Sequence, residues 1–137
     1  MSGRVAHLTV SAVKAIHDEV LAAHGGLRGT RDESLLESAV AAPQATRMGH
    51  LLIAEPLEIA AAYLFYICRN RPFLDGNKRT GLASSLVFLA ENDLLSMNVL
   101  PLDEWKAFVI DVATGTLDRS ITNQRFRRLV RALKRKR

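Results

Sequence analysis

The chain has 137 residues, with 19 lysines and arginines against 14 aspartates and glutamates, for a formal net charge of +5. That length suits one domain with a real core, 1–137, and the 48% apolar and 24% charged content excludes a disordered polymer. No segment approaches the roughly 20 apolar residues of a membrane helix and no opening run resembles a signal peptide, so no membrane partner and a cytoplasmic location are expected.

Cys68 is the only cysteine, which excludes an intrachain disulfide. It falls on an apolar helical pattern and reads as a small core residue. The positive charge is not spread evenly. Residues 125–137 hold eight basic side chains and no acidic one. Without them the body has 11 basic against 14 acidic residues, or −3.

The elements are predicted as follows. Thr9 or Ser11 caps a first helix through about His24, with Val10, Val13, Ile16, His17, Val20 and Leu21 as its apolar stripe. Gly25-Gly26 ends it. A second helix starts at Thr30, in a capping box with Glu33, or at Asp32. It buries Leu35, Leu36, Ala39 and Val40 and stops at Pro43. Gln44 to Gly49 read as loop. His50 to Ala54 are apolar but too few to separate a strand from a helical turn. Pro56 opens a third helix with Leu57, Ala60, Ala61, Leu64, Ile67 and Cys68 at helical spacing, whose alanines allow close packing. A fourth helix, about 78–93, is apolar nearly all round and belongs in the middle of the domain. After a connection over 94–100, Pro101 opens a fifth, carrying Leu102, Trp105, Phe108, Val109 and Val112 and ending at Gly115. A sixth starts at Asp118 or Thr122, with Phe126, Leu129, Val130 and Leu133 on one face. The fold class is all-α, about six helices, with a short β element near 48–54.

Between the third and fourth helices lies Arg71-Pro72-Phe73-Leu74-Asp75-Gly76-Asn77-Lys78-Arg79-Thr80-Gly81. Asn77 is a good N-cap residue. Lys78 and Arg79 then occupy the first turn, where the helix dipole disfavours cations. Helix N-terminal amides, a close-approach glycine and two cations together form a phosphate site. Phe73, apolar in a polar loop, anchors it to the core. Asp75 beside phosphates suits Mg²⁺, which takes one or two carboxylates plus phosphate oxygens. Gly76 and Asn77 shape the turn and expose amides, and Arg79 offers a planar fork to phosphate. His7, His24 and His50 have no carboxylate or cysteine at ligand spacing. His17 reads as a residue at the edge of the core. The chain has no P-loop and no dinucleotide fingerprint.

The loop resembles the signature of the Fic/Doc family, H-x-F-x-[DE]-G-N-[GK]-R, through Phe73, Asp75, Gly76, Asn77, Lys78 and Arg79. Upstream, His17, Gly25-Gly26, Gly29, Arg31-Asp32, Leu35-Leu36-Glu37, Ala39 and Pro43 resemble the N-terminal part of death-on-curing (Doc) toxins. The resemblance runs from about Leu8 to Leu133. It implies a compact Fic helical domain and an ATP- and Mg²⁺-dependent transferase acting on a protein hydroxyl. Most Fic members transfer AMP. Doc-type members transfer phosphate, carry lysine at the position of Lys78, and act on a threonine of elongation factor Tu. Leu82 stands where many AMP-transferring members have a second arginine, which also favours Doc. By position, Asp75 holds Mg²⁺, and Gly76, Asn77, Lys78 and Arg79 cradle phosphates. The segment near 48–54 corresponds to the flap that aligns the target by strand addition.

One position departs from the signature: Arg71 replaces the histidine that serves as general base. A general base must accept a proton near neutral pH, and a guanidinium cannot. The implied function is therefore a Doc-like toxin impaired in catalysis. The self-inhibitory [ST]-x-x-x-E-[GN] motif is absent, since Val87 precedes Glu91-Asn92 by four residues. Inhibition is expected from a Phd-type antitoxin. The alternatives are AMP transfer and a non-catalytic module that binds nucleotide, nucleic acid or antitoxin. The basic tail supports the nucleic-acid version, but interleaved aromatics for base stacking are lacking.

Overall fold

The structure is a computed structural model that describes residues 5–95 and 101–135. Its elements in order are α1 (Val10–His24), α2 (Glu33–Ala41), a 3₁₀ turn (Ala42–Gln44), β1 (Thr46–Arg47), β2 (His50–Leu51), α3 (Pro56–Asn70), α4 (Asn77–Glu91), α5 (Leu102–Ala113) and α6 (Arg119–Arg135). The all-α class with six helices and a short β flap is what the sequence pattern predicts.

Most helix starts follow from side-chain caps. Thr9 Oγ1 accepts the Ala12 N–H at 3.0 Å, and Asp32 Oδ1 accepts that of Leu35 at 3.0 Å. Pro56 occupies the first turn of α3, where the Glu55 carboxylate accepts the Glu58 N–H at 3.0 Å. Asp118 Oδ1 accepts the Ile121 N–H at 2.9 Å ahead of α6. Thr30, the other predicted start for α2, instead pairs with Phe73 in an isolated antiparallel bridge.

The Asp32 cap makes a pH-dependent contribution. Hydrogen bonds from the Ser34 hydroxyl and then the Leu35 amide hold its carboxyl below the ordinary 3.8. A carboxyl depressed on folding adds stability above its unfolded pKa, and that contribution is lost as pH falls through the folded value. We expect Asp32→Asn to keep the cap and flatten the acid limb of the stability profile. Urea midpoints measured between pH 6 and pH 2.5 report this. Equal acid sensitivity in the two proteins would contradict it.

Several expectations need correction. The β element near 48–54 is a hairpin centred earlier: Thr46 pairs with Leu51 and Arg47 with His50. Leu52 N–H then donates to the Ala45 carbonyl at 2.9 Å. Its two-residue turn places Met48 at φ 53° and Gly49 at φ 81°, the double-positive geometry of a type I′ turn, whose twist matches the strands. Gln44 to Gly49 are therefore not plain loop. Helix α4 begins and ends slightly earlier than 78–93, and its cap is Gly76 rather than Asn77.

Nor is α4 an apolar rod. It buries Thr80, Gly81, Ser84 and Ser85 beside Leu86, Phe88 and Leu89, while Leu82, Ala83 and Val87 are only half-buried and Ala90 is exposed. The small residues let α4 pack closely on α3, its most extensive neighbour. Among the described residues the buried Ser84 Oγ finds no hydrogen-bond partner. Ser84→Ala removes that unpaired hydroxyl and improves helix propensity, so it should stabilise the protein by about 0.5–1 kcal/mol. Denaturant unfolding with an unchanged m-value would show it; a lower midpoint would not fit.

Helix α3 lies at the centre, packed on α2, α4, α5 and α6. It buries Ile59, Ala60, Ala61, Ala62, Tyr63, Leu64, Ile67 and Cys68. Burial pushes the Cys68 thiol up to about 12, so it is a packing residue and not a nucleophile. Trp105 and Phe108 of α5 meet Phe126 of α6 in one aromatic cluster.

Much of the basic tail belongs to the fold. Phe126, Val130 and Leu133 are buried, and α6 is tied to the acidic body by Arg119–Glu58 at 3.1 Å, Arg125–Asp111 at 2.9 Å and Arg127–Glu55. The predicted connection over 96–100, the side chains of 102, 134 and 135, and positions 136–137 lie outside the described residues. Among the described residues no helix is long and apolar enough to cross a membrane.

Candidate anion site at the start of α4

The loop from Arg71 to Gly76 is built by local constraints and completed by distant ones. At Arg71 the chain leaves α3 in the left-handed region, φ 50° and ψ 57°. The Arg71 N–H still donates to the Ile67 carbonyl at 3.1 Å. Arg31 then forks back to this helix end. Its Nε donates to the Arg71 carbonyl at 2.7 Å and its Nη2 to the Asn70 carbonyl at 2.9 Å. A cation at a helix C-terminus satisfies both the orphan carbonyls and the dipole. The Pro72 carbonyl accepts from the main-chain amides of Arg31 and Asp32, and Leu74 N–H donates to the Gly29 carbonyl at 3.0 Å. The segment 29–32 thus runs as a rail beside the loop.

Phe73 is 2% exposed, the buried anchor that the sequence predicts. The Asn77 side chain closes a ring with it. Asn77 Oδ1 accepts the Phe73 N–H at 2.9 Å, and Asn77 Nδ2 donates to the Phe73 carbonyl at 3.0 Å. This is why Asn77 does not cap α4: its amide group is committed to the loop. Gly76 takes the cap position at φ 79° with no side-chain hydrogen bond. The first intrahelical bond runs from Thr80 N–H to the Gly76 carbonyl at 2.9 Å. The N–H groups of Asn77, Lys78 and Arg79 therefore have no acceptor within the helix.

Two contacts from α1 and the turn after it hold Asp75. His17, 3% exposed, stacks on Phe73 with ring centroids 3.8 Å apart and planes 7° from parallel. Its Nε2–H donates to the Asp75 carbonyl at 2.7 Å. Leu27 N–H donates to Asp75 Oδ2 at 2.9 Å. The sequence pattern placed His17 at the edge of the core. The structure makes it a brace for the loop, 58 residues away in the chain, a relation that no local spacing reports.

These constraints open a pocket of ≈ 270 Å³ lined by Asp75, Gly76, Asn77, Lys78, Arg79 and Leu82 of the loop and α4, and by Lys106, Val109 and Ile110 of α5. Ligand pockets for whole small molecules begin near roughly 300 Å³, so this one suits a phosphate chain better than an entire nucleotide. The predicted residues from Asp75 to Arg79 all meet here. Arg71 is exposed and does not line the pocket. The lining holds three cations, Lys78, Arg79 and Lys106, and one carboxylate, and three amides with no acceptor within the helix lie at the same helix end. Lys106 was not singled out in the sequence, because an isolated exposed lysine carries no local signal. Asp75 also meets the donor requirement of a Mg²⁺ site. One oxygen is held by Leu27, and Oδ1 has no hydrogen bond among the described residues, so a single carboxylate oxygen is available beside incoming phosphates.

A charged loop braced between two central helices, with a phosphate-sized pocket at the start of the second, defines the class. The chain belongs to the Fic/DOC family: residues 7–89 match the family's sequence model. It is similar to "Protein kinase doc" of Escherichia phage P1, 32% identical over 123 residues that cover 90% of this chain and 94% of that protein. It is also similar to "Toxin Doc" of Mycolicibacterium smegmatis (strain ATCC 700084 / mc(2)155), 38% identical over 96 residues, 70% of this chain and 74% of that one. Both relatives place it on the Doc side of the family.

Proposed function

We propose that this chain is a Doc-like toxin whose pocket binds the phosphates of ATP, and whose phosphate transfer to a protein hydroxyl is impaired by Arg71. The observation that carries the reading is the pocket itself: Lys78, Arg79 and the start of α4 line a volume that fits a phosphate chain, and a helix start offers amides with no acceptor within the helix. Of the two relatives, one is named a protein kinase and the other a toxin. Asp75 and the bound phosphates would hold Mg²⁺, which would neutralise charge on the transferring group. Lys78 and Arg79 orient the phosphates and stabilise charge that develops on their oxygens. The Asn77–Phe73 ring and the His17 brace fix the loop before substrate arrives, so little reorganisation is needed.

The missing element is proton removal. A guanidinium at position 71 donates hydrogen bonds and accepts no proton, so the attacking hydroxyl keeps its proton. The β1–β2 hairpin presents the target. Among the described residues its strands are exposed and pair only with each other, and Met48 and Leu52 are 92% and 62% exposed at its turn and base. An extended target segment, an elongation factor Tu-like threonine in this reading, would add along that edge. A Phd-like antitoxin would supply the inhibition that this chain has no motif of its own to provide.

The test uses ATP labelled at the α or the γ position, with the Arg71 protein, Arg71→His and a translation-factor substrate. Label from γ alone supports phosphate transfer. Label from α means AMP transfer and overturns the kinase reading. No label from either position with Arg71→His rejects the idea that only the base is missing.

A further inference from the structure

We propose that Lys106 on α5 is a third phosphate-contacting cation that closes the pocket opposite Lys78 and Arg79. The inference rests on the nucleotide-phosphate reading of that site and adds a residue to it from beyond 7–89, the segment that matches the family. Packing decides where Lys106 points. Trp105 and Phe108, on either side of it, are fully buried, and Trp105 meets Phe126 edge-on with ring centroids 5.8 Å apart. With those rings fixed in the core, α5 cannot rotate. Lys106, Val109 and Ile110, at i, i+3 and i+4, then share the helix face that lines the pocket.

The charge of the pocket gives Lys106 its role. Without it, the pocket lining holds two cations and the Asp75 carboxylate; with it, three cations. A triphosphate bound with Mg²⁺ keeps net negative charge, so a further cation adds affinity where the pocket walls limit screening. Lys106 is exposed and forms no ion pair within 4.0 Å among the described residues, so its ammonium is not committed elsewhere. Leu82, Val109 and Ile110 give the same wall an apolar rim. A flexible, compact ammonium above that rim reaches phosphate oxygens as a point charge, without the fixed fork of an arginine.

The experiment is calorimetric titration of the Arg71 protein with Mg-ATP and, separately, with adenosine. Lys106→Ala should weaken Mg-ATP about 3- to 10-fold, the range for loss of one ordinary hydrogen bond, because solvent screens an exposed charge. Lys106→Glu should weaken it further, and Lys106→Arg should restore most of the affinity. Adenosine binding and thermal midpoints should not change, which separates a phosphate contact from a packing role. If Lys106→Glu binds Mg-ATP as the parent does while the double substitution Lys78→Ala, Arg79→Ala loses binding, the inference fails and the phosphate site stands. If the parent itself does not bind Mg-ATP, the phosphate reading fails and the inference with it.

Discussion

Arg71→His should raise the rate of ATP-dependent target labelling by about 10²–10⁴-fold, the usual contribution of a positioned general base. The fold is ready to accept the exchange. Position 71 sits in the left-handed region at φ 50°, where histidine, asparagine and aspartate are enriched several-fold among non-glycine residues. The backbone there is fixed by Arg31 and by Ile67 and does not involve the side chain. The substitution should therefore leave stability nearly unchanged. The recovered rate should carry a new acid limb, since an imidazole must be neutral to accept a proton. Arg71→Lys and Arg71→Gln should recover nothing. Labelling rates from pH 5.5 to 8.5 decide the matter, and equal recovery by the glutamine variant would show that removing the arginine, not supplying a base, is what counts.

Gly81→Val should destabilise the protein by about 3 kcal/mol, the upper range for overpacking a well-filled interior. Gly81 of α4 lies directly against α3. A Cβ there would sit 2.9 Å from the Cys68 sulfur and 3.3 Å from the Leu64 carbonyl oxygen. Both belong to the central helix, and the carbonyl cannot move without disturbing the α3 ladder. Even Gly81→Ala should destabilise, although alanine is favoured over glycine in a helix by about 1 kcal/mol. Its partner is identifiable: Cys68→Ala should rescue part of the loss, so the double variant is more stable than the sum of the two single changes predicts. Chemical denaturation of the four proteins in that cycle measures the coupling. Strict additivity would mean that the sulfur is not the obstacle.

The helices were legible because their signals are local. Thr9, Asp32, Pro56 and Asp118 mark starts through caps that involve only the next few residues. The hairpin was placed too late because its turn residues are Met48 and Gly49. Methionine at positive φ is no part of the usual asparagine-glycine signal, and the strands are two residues each, too short for alternation to show. Asn77 misled for a related reason: its cap propensity is real, but the Phe73 main chain outcompetes the helix for its amide. In the site, residues 75–79 could be read from the loop alone. Their supports could not. Arg31 reaches Arg71 across 40 residues, Leu27 reaches Asp75 across 48, and Lys106 arrives on a helix whose orientation is set by Trp105. The leucines and valines of α4 give its sequence an all-round apolar look. The structure buries Thr80, Gly81, Ser84 and Ser85 as fully as Phe88 and Leu89, and leaves Leu82, Ala83 and Val87 only half-buried.

The basic tail is better understood through its partners than its composition. Glu55, Glu58 and Asp111 each take an arginine of α6, and two of these, Arg125 and Arg127, belong to the basic stretch from 125. Exposed pairs of this kind each contribute little. They align α6 over its buried face of Phe126 and Val130.

The central claim is that the phosphate half of the site is complete and the proton-accepting half is not. The most direct measurement compares the Arg71 and Arg71→His proteins side by side for Mg-ATP affinity and for single-turnover transfer of γ-phosphate to the target. The account predicts affinities within a few-fold of each other and transfer at least about 10²-fold faster with histidine. Equal transfer by both proteins, or failure of the Arg71 protein to bind Mg-ATP when Arg71→His does, would contradict it.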